Sequence, residues 1–522
     1  MTSLTRRLAA VSVLARSNLV AFERPDRLMR AVLASLPWGL GTAGAMAAAC
    51  ARYPDAVALI DDDGAVTYGE LWHRTDGVAH RLTELGAASG TAVGVLCRNH
   101  RGFVEAAIAV AKTEADLVLL NTGFAGPQLA DVVAGEGVSI LVHDDEFSVM
   151  AAGTSAIATM DEAAIALAAS SGRAPRPTRH QGRTVILTSG TTGRPKGAAR
   201  RPNVNAIEGV GALLERVPLR ARDTVVVAAP LFHAWGLTHL LMGLGRNATL
   251  VVSRRFDAQA TLEAVDRHRA RVLVVVPVML QRMLALGADE LVRVDTSTLE
   301  VIASSGSALG GRLATEILNR FGPVLYNIYG STEVAAAAIA TPSDLRRAPT
   351  TVGRPAPGVE VELLDDAGQP VETGQVGRVF VGSAARFDGY TSGGGKESQH
   401  GLLSSGDVGH FDADARLYID GRDDDMIVSG GENLYPAEVE ELLGQHPAVA
   451  EVAVIGVADE EFGQALAAFV VVRPGQALTI DDVRQHVRTR LARYKVPRRV
   501  TFLDELPRNA TGKVLKRALA GP

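Results

Sequence analysis

Cysteine is nearly missing from this chain: 522 residues hold two, Cys50 and Cys97. Neither stands in a Cys-x-x-Cys pair, so no zinc site and no disulfide framework is indicated. Each thiol reads as a buried structural group in a reduced cytoplasm. A basic excess is missing too. Lys and Arg total 53 against 58 Asp and Glu, a net charge of −5, which removes nucleic acid as an expected partner. Long apolar runs are the third absence, since no uninterrupted stretch reaches the length that crosses a bilayer. Arg6-Arg7 before Leu8 to Ala15 looks superficially like a secretion signal. Arg16 cuts that stretch short, and no small-residue cleavage site follows cleanly. What remains is the composition of a soluble globular protein too long for a single core, so two or more domains are expected.

From Thr67 onward, β-branched runs alternate with helical patterns. Ala92–Leu96, Ile140–His143, Val185–Leu187, Thr224–Ala228, Val272–Val276 and Val301–Ala303 read as strands. Tyr68–Leu85, Val104–Lys112, Ala258–His268 and Leu309–Phe321 read as helices. The pattern predicts an α/β fold: a large N-terminal domain of α/β subdomains with mostly parallel sheets. A small β subdomain is expected over Val359–Val381. The charged run Asp420-Gly421-Arg422-Asp423-Asp424-Asp425 marks the boundary, giving domains 1–420 and 421–522. The second is expected to be a small mobile α+β unit. Residues 391–401 are rich in Gly and Ser and read as a mobile surface loop. Residues 1–40 read as an amphipathic leader of two helices broken near Pro25, with Arg6, Arg7, Arg16, Arg27 and Arg30 among Leu, Val and Ala.

The most informative segment is Thr188-Ser189-Gly190-Thr191-Thr192-Gly193-Arg194-Pro195-Lys196-Gly197, placed directly after the strand run Val185–Leu187. Composition alone would make it a flexible linker. Its order is that of a polyphosphate cradle. Glycines let backbone N–H groups turn inward and approach oxygen, hydroxyls add donors, and Lys adds a point charge. It is not a Walker A loop, because Gly197 follows Lys196 where Ser or Thr belongs. Five further segments follow in order. They are Pro230-Leu231-Phe232-His233-Ala234-Trp235-Gly236, Ser304-Ser305-Gly306-Ser307-Ala308-Leu309, Tyr326-Asn327-Ile328-Tyr329-Gly330-Ser331-Thr332-Glu333, Ser405-Gly406-Asp407-Val408-Gly409, and the stretch from Asp420 through Gly430-Gly431-Glu432-Asn433. Pro507-Arg508-Asn509-Ala510-Thr511-Gly512-Lys513 closes the set.

Together these segments resemble the adenylate-forming superfamily of acyl-CoA synthetases, luciferases and peptide-synthetase adenylation domains, most like bacterial fatty-acid–CoA ligases. The resemblance spans Thr67 to Lys516 and implies ATP, Mg²⁺ and coenzyme A as cofactor and co-substrates. It implies that Thr188, Ser189, Gly190, Thr191, Thr192, Gly193 and Lys196 hold phosphate. It places Ser305, Gly306 and Ser307 at adenine, with Tyr329 stacked on the purine and Gly330, Ser331 and Thr332 beside the phosphates. Asp407 accepts the ribose hydroxyls and Arg422 reaches ribose or phosphate. Glu333 is the Mg²⁺ ligand, and a carboxylate suits that hard cation. Asp424 is the hinge, and Gly430, Gly431 and Glu432 flank the thiol path. The catalytic candidates are Lys513, Glu333, Thr188 and His233. Two departures from the family pattern are Ser405 in place of Thr, and Gly401-Leu402-Leu403 where relatives carry a tryptophan.

The implied reaction joins a carboxylic acid to CoA through an acyl-AMP, releasing pyrophosphate and then AMP. His233 stands where amino-acid-activating relatives carry Asp, which disfavours an α-ammonium substrate. Small side chains over Val334–Ala340 read either as room for a long acyl chain or as tight packing. A medium- or long-chain fatty acid is expected; an aryl acid, a carrier-protein acceptor and an inactive nucleotide-binding homologue are the alternatives. Trp235 reads as a gate. Arg490, Arg493, Lys495, Arg498 and Arg499 read as a surface for the CoA 3′-phosphate, with Val496 where some relatives carry a base. A homodimer and peripheral contact with the inner face of the membrane are left open. If the basic leader meets lipid, removing residues 1–40 abolishes co-sedimentation with anionic vesicles; unchanged binding ends the idea.

Overall fold

Strand runs such as Val272–Val275, buried on both faces, require a parallel sheet covered on each side. The computed structural model describes residues 24–39, 41–189, 195–201, 205–287, 293–423, 427–429, 432–459, 463–491, 495–509 and 512–520. Among these, a nine-stranded sheet has six parallel strands at its centre: Leu325–Ser331, Val301–Ser304, Val272–Val275, Thr224–Val227, Thr249–Val251 and Val57–Asp61. Antiparallel strands close its edges, with Ala335–Ala340 and Arg354–Pro355 on one side and Gly64–Thr67 on the other. A seven-stranded sheet carries five parallel strands, Thr184–Ser189, Asp116–Leu119, Ala92–Leu96, Val138–His143 and Ala158–Met160. Helices Tyr68–Glu84 and Arg101–Ala111 pack in one apolar core that both sheets share.

A five-stranded antiparallel sheet follows, built from Glu360–Leu364, Gly377–Gly382, Ser398–Gln399, Leu402–Phe411 and Leu417–Arg422. The C-terminal portion has its own core over Val449–Asp459, Gly463–Val472 and Arg499–Phe502. The α/β fold, with a large N-terminal domain of mostly parallel sheets and a small C-terminal one, is thus as the sequence pattern predicts. Every strand and helix run named from Thr67 onward overlaps an observed element of the same type.

Two local outcomes sharpen the expectation. Of the two readings of Val334–Ala340, tight packing holds for its second half: Ala335–Ala340 is a strand in which Ala337 to Ala340 are fully buried, while Ala335 and Ala336 are half-buried. Residues 391–401 are tethered rather than loose. Thr391 Oγ1 donates to Glu136 at 2.9 Å, the Arg378 guanidinium meets Glu397 at 2.5 Å, and Lys396 Nζ donates to Ser405 O at 3.3 Å. Composition reports turn propensity but not side-chain anchors elsewhere in the chain. Of the expected leader, residues 1–23 lie outside the described residues. Helix Pro25–Ser35 exposes Met29, Val32, Leu33 and Leu36. No helix among the described residues is long and apolar enough to cross a membrane.

The two parallel sheets meet along a polar seam. Asp61, ending a strand of the larger sheet, accepts from the Arg101 backbone N–H at 2.8 Å and from its guanidinium at 2.5 Å. Burial pushes the Asp61 carboxyl up, and the hydrogen bonds and charge of Arg101 outweigh this and hold it below the usual carboxylate range. Stability from this pair is therefore present above the unfolded carboxyl pKa of about 3.9 and is lost as pH falls through the folded value. Asp61→Ala strips the half-buried guanidinium of its main partner, leaving Asp63 at 3.7 Å and the Gly64 carbonyl at 3.0 Å. It should lower the first urea-unfolding transition at pH 7 by about 3–5 kcal/mol, read by the fluorescence of Trp38, Trp72 and Trp235, with the deficit shrinking below pH 4.

Candidate active site

The phosphate-loop segment is the tip of a hairpin. Thr184–Ser189 leads in, Pro195–Arg200 leads out antiparallel, and Thr188 pairs with Lys196 in register. Thr188 Oγ1 donates to Lys196 O at 3.3 Å. Pro195 thus opens a strand where a Walker loop would open a helix. Gly190, Thr191, Thr192 and Gly193 lie outside the described residues.

Beyond the loop, a two-residue strand, Gly389–Tyr390, adds to the edge of Pro195–Arg200 and carries Tyr390 to this point. The Lys196 ammonium lies 5.4 Å from the Tyr390 ring centroid, and Tyr390 Oη donates to Glu333 Oε1 at 3.1 Å. Burial, then the Glu333 carboxylate, push the Tyr390 hydroxyl pKa up, so it stays a donor. Glu333 is 7% exposed and follows the strand Leu325–Ser331, whose Ser331 Oγ accepts the Glu333 backbone N–H at 3.2 Å. The half-buried Arg200 guanidinium donates to Thr332 O. One carboxylate facing a phosphate loop suits Mg²⁺, which takes one or two protein carboxylates and completes its shell with substrate phosphates and water. The residues present fit that ion.

A second cluster sits where the nine-stranded sheet, the five-stranded sheet and the run into the C-terminal portion meet. Tyr329 Oη donates to Asp407 Oδ2 at 2.5 Å, and Arg422 Nη1 lies 3.3 Å from Asp407 Oδ1. Ser405 Oγ accepts the Asp407 backbone N–H at 3.1 Å. Burial raises the Asp407 carboxyl pKa, opposed by the Tyr329 hydrogen bond and the Arg422 charge. Ser305 is pinned by its Oγ to Ile328 O at 2.8 Å, with Gly306 at φ 93° and Ser307 exposed after it.

The third cluster lies at the carboxyl ends of Thr224–Val227 and Val272–Val275, where open parallel sheets bind ligands. Trp235 Nε1 donates to Val275 O at 3.1 Å, and the Trp235 ring meets His239 edge-on at 4.2 Å. Burial drives the His233 pKa down to about 4, so its imidazole is neutral at pH 7. His233 Nε2 and Ser304 Oγ are buried without a hydrogen-bond partner among the described residues.

Gly512, which precedes Lys513, packs next to this third cluster from the far end of the sequence. Gly512, at φ 80°, packs so closely that a Cβ there would stand 2.3 Å from Val278 Cγ1 and 3.9 Å from Val276 Cγ2. Glycine is required at this approach. Lys513 itself is exposed, its backbone N–H held by Asn509 Oδ1 at 2.9 Å. Glu441 Oε1 accepts the Gly311 N–H at 3.1 Å and helps dock the C-terminal portion.

Asp424, Gly430, Gly431, Arg493 and Thr511 lie outside the described residues, and Glu432 is placed as the first residue of strand Glu432–Leu434. Lys495 pairs with Glu438 at 2.6 Å and Arg498 with Asp459 at 3.2 Å, so the basic cluster is partly neutralised. Sequence reasoning missed Tyr390, Arg200 and Lys396. Tyr390 adjoins a Gly-rich segment, and only its distance to Glu333 marks it.

Two family models match in order: the AMP-binding enzyme model over residues 46–391, and the AMP-binding enzyme C-terminal domain model over 438–513. Indoleacetate–CoA ligase of Aromatoleum aromaticum is 34% identical over 484 residues, covering 89% of this chain and 94% of that protein. Feruloyl-CoA synthase of an Amycolatopsis species is 34% identical over 473 residues, with 89% and 95% covered. Among solved structures, the amide bond synthetase McbA of Marinactinospora thermotolerans superposes with a TM-score of 0.82 at 29% identity, covering 95% of this chain and 99% of that one. With both models matched in sequence order, the first over more than half of the chain, the chain belongs to the AMP-binding enzyme family, within the adenylate-forming superfamily.

Proposed function

We propose that this enzyme activates an aryl or arylalkyl carboxylic acid as its acyl-adenylate and passes the acyl group to the thiol of coenzyme A. The observation that carries the reading is the seating of Gly512 on Val276 and Val278, directly after Val275, whose carbonyl accepts Trp235 Nε1; Lys513 is the residue that follows Gly512. An aryl acid is favoured over the fatty acid expected from the sequence for two reasons. Relatives similar over most of the chain are ligases of indoleacetate and ferulate. Ala337 to Ala340, most of the run that would have made room for a long chain, are packed inside the sheet.

In the first half-reaction a carboxylate oxygen attacks the α-phosphorus of ATP and pyrophosphate leaves. In the second, the CoA sulfur attacks the acyl carbon and AMP leaves with that oxygen. Phosphoryl transfer asks the protein mainly for position and charge. We assign the pyrophosphate to the 188–197 loop with Lys196, the ribose hydroxyls to Asp407 with Arg422 alongside, and adenine to Ser305, Gly306 and Tyr329. Glu333 would hold Mg²⁺, which when bound neutralises phosphate charge. His233, neutral, offers a hydrogen bond to the acid without adding a countercharge. Lys513 stands where negative charge grows on the carboxylate and α-phosphate oxygens. It belongs to the C-terminal domain, placed from residue 421. Rotation over 422–424 would withdraw it and bring 430–432 to the thiol path.

Pyrophosphate release with indole-3-acetate, ferulate, benzoate, octanoate and palmitate, with and without CoA, tests the substrate. The reading predicts fastest CoA-dependent turnover with an aryl acid; a clear preference for palmitate overturns it. Replacing CoA by a primary amine tests the acceptor, since the McbA likeness makes amide formation the rival outcome. For the division of labour, Lys513→Ala should abolish acyl-AMP formation, by about a hundredfold or more as for a lost transition-state charge contact. Thioester formation from supplied acyl-AMP should be retained. Equal loss of both half-reactions contradicts the assignment.

A further inference from the structure

The pocket turn Pro230–His233 belongs to the nine-stranded sheet, but what holds it comes from the other sheet. Asn99 follows strand Ala92–Leu96 of the seven-stranded sheet and is 6% exposed. Its Nδ2 donates to Ala229 O at 3.0 Å, and its Oδ1 accepts the Leu231 N–H at 2.9 Å. The carboxamide orientation is fixed by chemistry, since a carbonyl can only accept and a backbone N–H can only donate. One side chain thus spans the sheet seam and satisfies both polar groups that flank Pro230, which has no N–H of its own.

Asn99 is itself rigidly seated. The Arg98 N–H donates to Asp144 Oδ2 at 2.9 Å, and His100 Nε2 lies 2.7 Å from Asp144 Oδ1. His100 Nδ1 accepts the Gly102 N–H at 3.2 Å, so Nε2 carries the proton and donates. Cys97, His100 and Asp144 have their ligand atoms close enough to hold a metal ion. Their hydrogen bonds are instead engaged in fixing the turn either side of Asn99. On the pocket side, Gly236 closes the arrangement: a Cβ there would lie 2.2 Å from Pro230 O. The turn is clamped by Asn99 on one face and by the helix Ala234–Gly245 on the other.

We propose that Asn99 is a positioning residue for the acid pocket: by gripping Ala229 and Leu231 it sets where Phe232 and His233 present themselves to the carboxylic acid. The inference rests on the pocket assignment made above, though not on whether the acid is aryl or alkyl. Asn99→Asp keeps the acceptor for Leu231 and replaces the donor to Ala229 with a carboxylate oxygen facing a carbonyl. Asn99→Ser removes most of the reach with little change in polarity, and serves if the first variant folds poorly.

The experiment measures KM for ATP and for the acid that wild-type protein turns over fastest. The comparator is Leu82→Ala, a fully buried site on helix Tyr68–Glu84 that loosens the core without touching the turn. Either Asn99 variant should raise the acid KM about tenfold or more, the scale of losing one or two buried hydrogen bonds, while the ATP KM stays within about twofold. Leu82→Ala should lower thermal stability and leave both KM values near wild type. An unchanged acid KM, or parallel rises in both KM values that track the loss of stability, overturns the role of Asn99. Failure of wild-type protein to activate any acid would instead remove the pocket assignment itself.

Discussion

A carboxylate buried among three chain segments is the constraint on which the nucleotide side of this molecule depends. Asp407 lies on the five-stranded sheet, Tyr329 on the nine-stranded sheet, and Arg422 at the point where the chain leaves for its C-terminal portion. Burial raises the Asp407 carboxyl pKa and so works against the charged form that serves as a double acceptor. The Tyr329 hydroxyl and Arg422 oppose that, and in doing so lock the three segments together. The proposed ribose contact and the proposed hinge therefore share a residue. Movement of Arg422 changes the electrostatics of Asp407 directly.

The same logic appears along the sheet seam. Parallel strands supply backbone positions but no charge at their carboxyl ends, so the polar groups come from the connections. Asp61 with Arg101 and Asn99 with the Ala229–Leu231 turn bind the two sheets by hydrogen bonds with fixed geometry, and Asp144 with His100 holds the loop that carries Asn99. Hydrophobic packing between the sheets is non-directional and would tolerate sliding. These pairs remove that freedom where the acid pocket is built.

Much of this was legible from residues alone. The strand runs through Val272 and Val301 and the helix from Tyr68 followed from periodicity, because a β-branched apolar run has few other uses. Helix Tyr68–Glu84 even announces its start, with Thr67 and Glu70 forming a capping box. Motif order placed Lys196, Glu333, Asp407 and Lys513 in one reading, and the fold positions Glu333 and Lys196 about the ring of Tyr390. Tyr390 and Asn99 were not legible. Each acts through one contact with a residue far away in sequence, and neither type nor spacing reveals a partner 57 or 132 positions off. The acyl preference was left open for a related reason. A run of alanines has the same composition whether it lines a channel or fills a strand, and only burial of Ala337 to Ala340 separates the two.

The central claim is that a carboxylate oxygen attacks the α-phosphorus of ATP in the site between the hairpin loop, Glu333 and Lys513. It is tested most directly by turning over an aryl acid labelled with ¹⁸O in both carboxyl oxygens and weighing the nucleotide released. The account predicts AMP carrying one ¹⁸O per turnover, with unlabelled pyrophosphate. Unlabelled AMP, or label appearing in orthophosphate beside ADP, would contradict it.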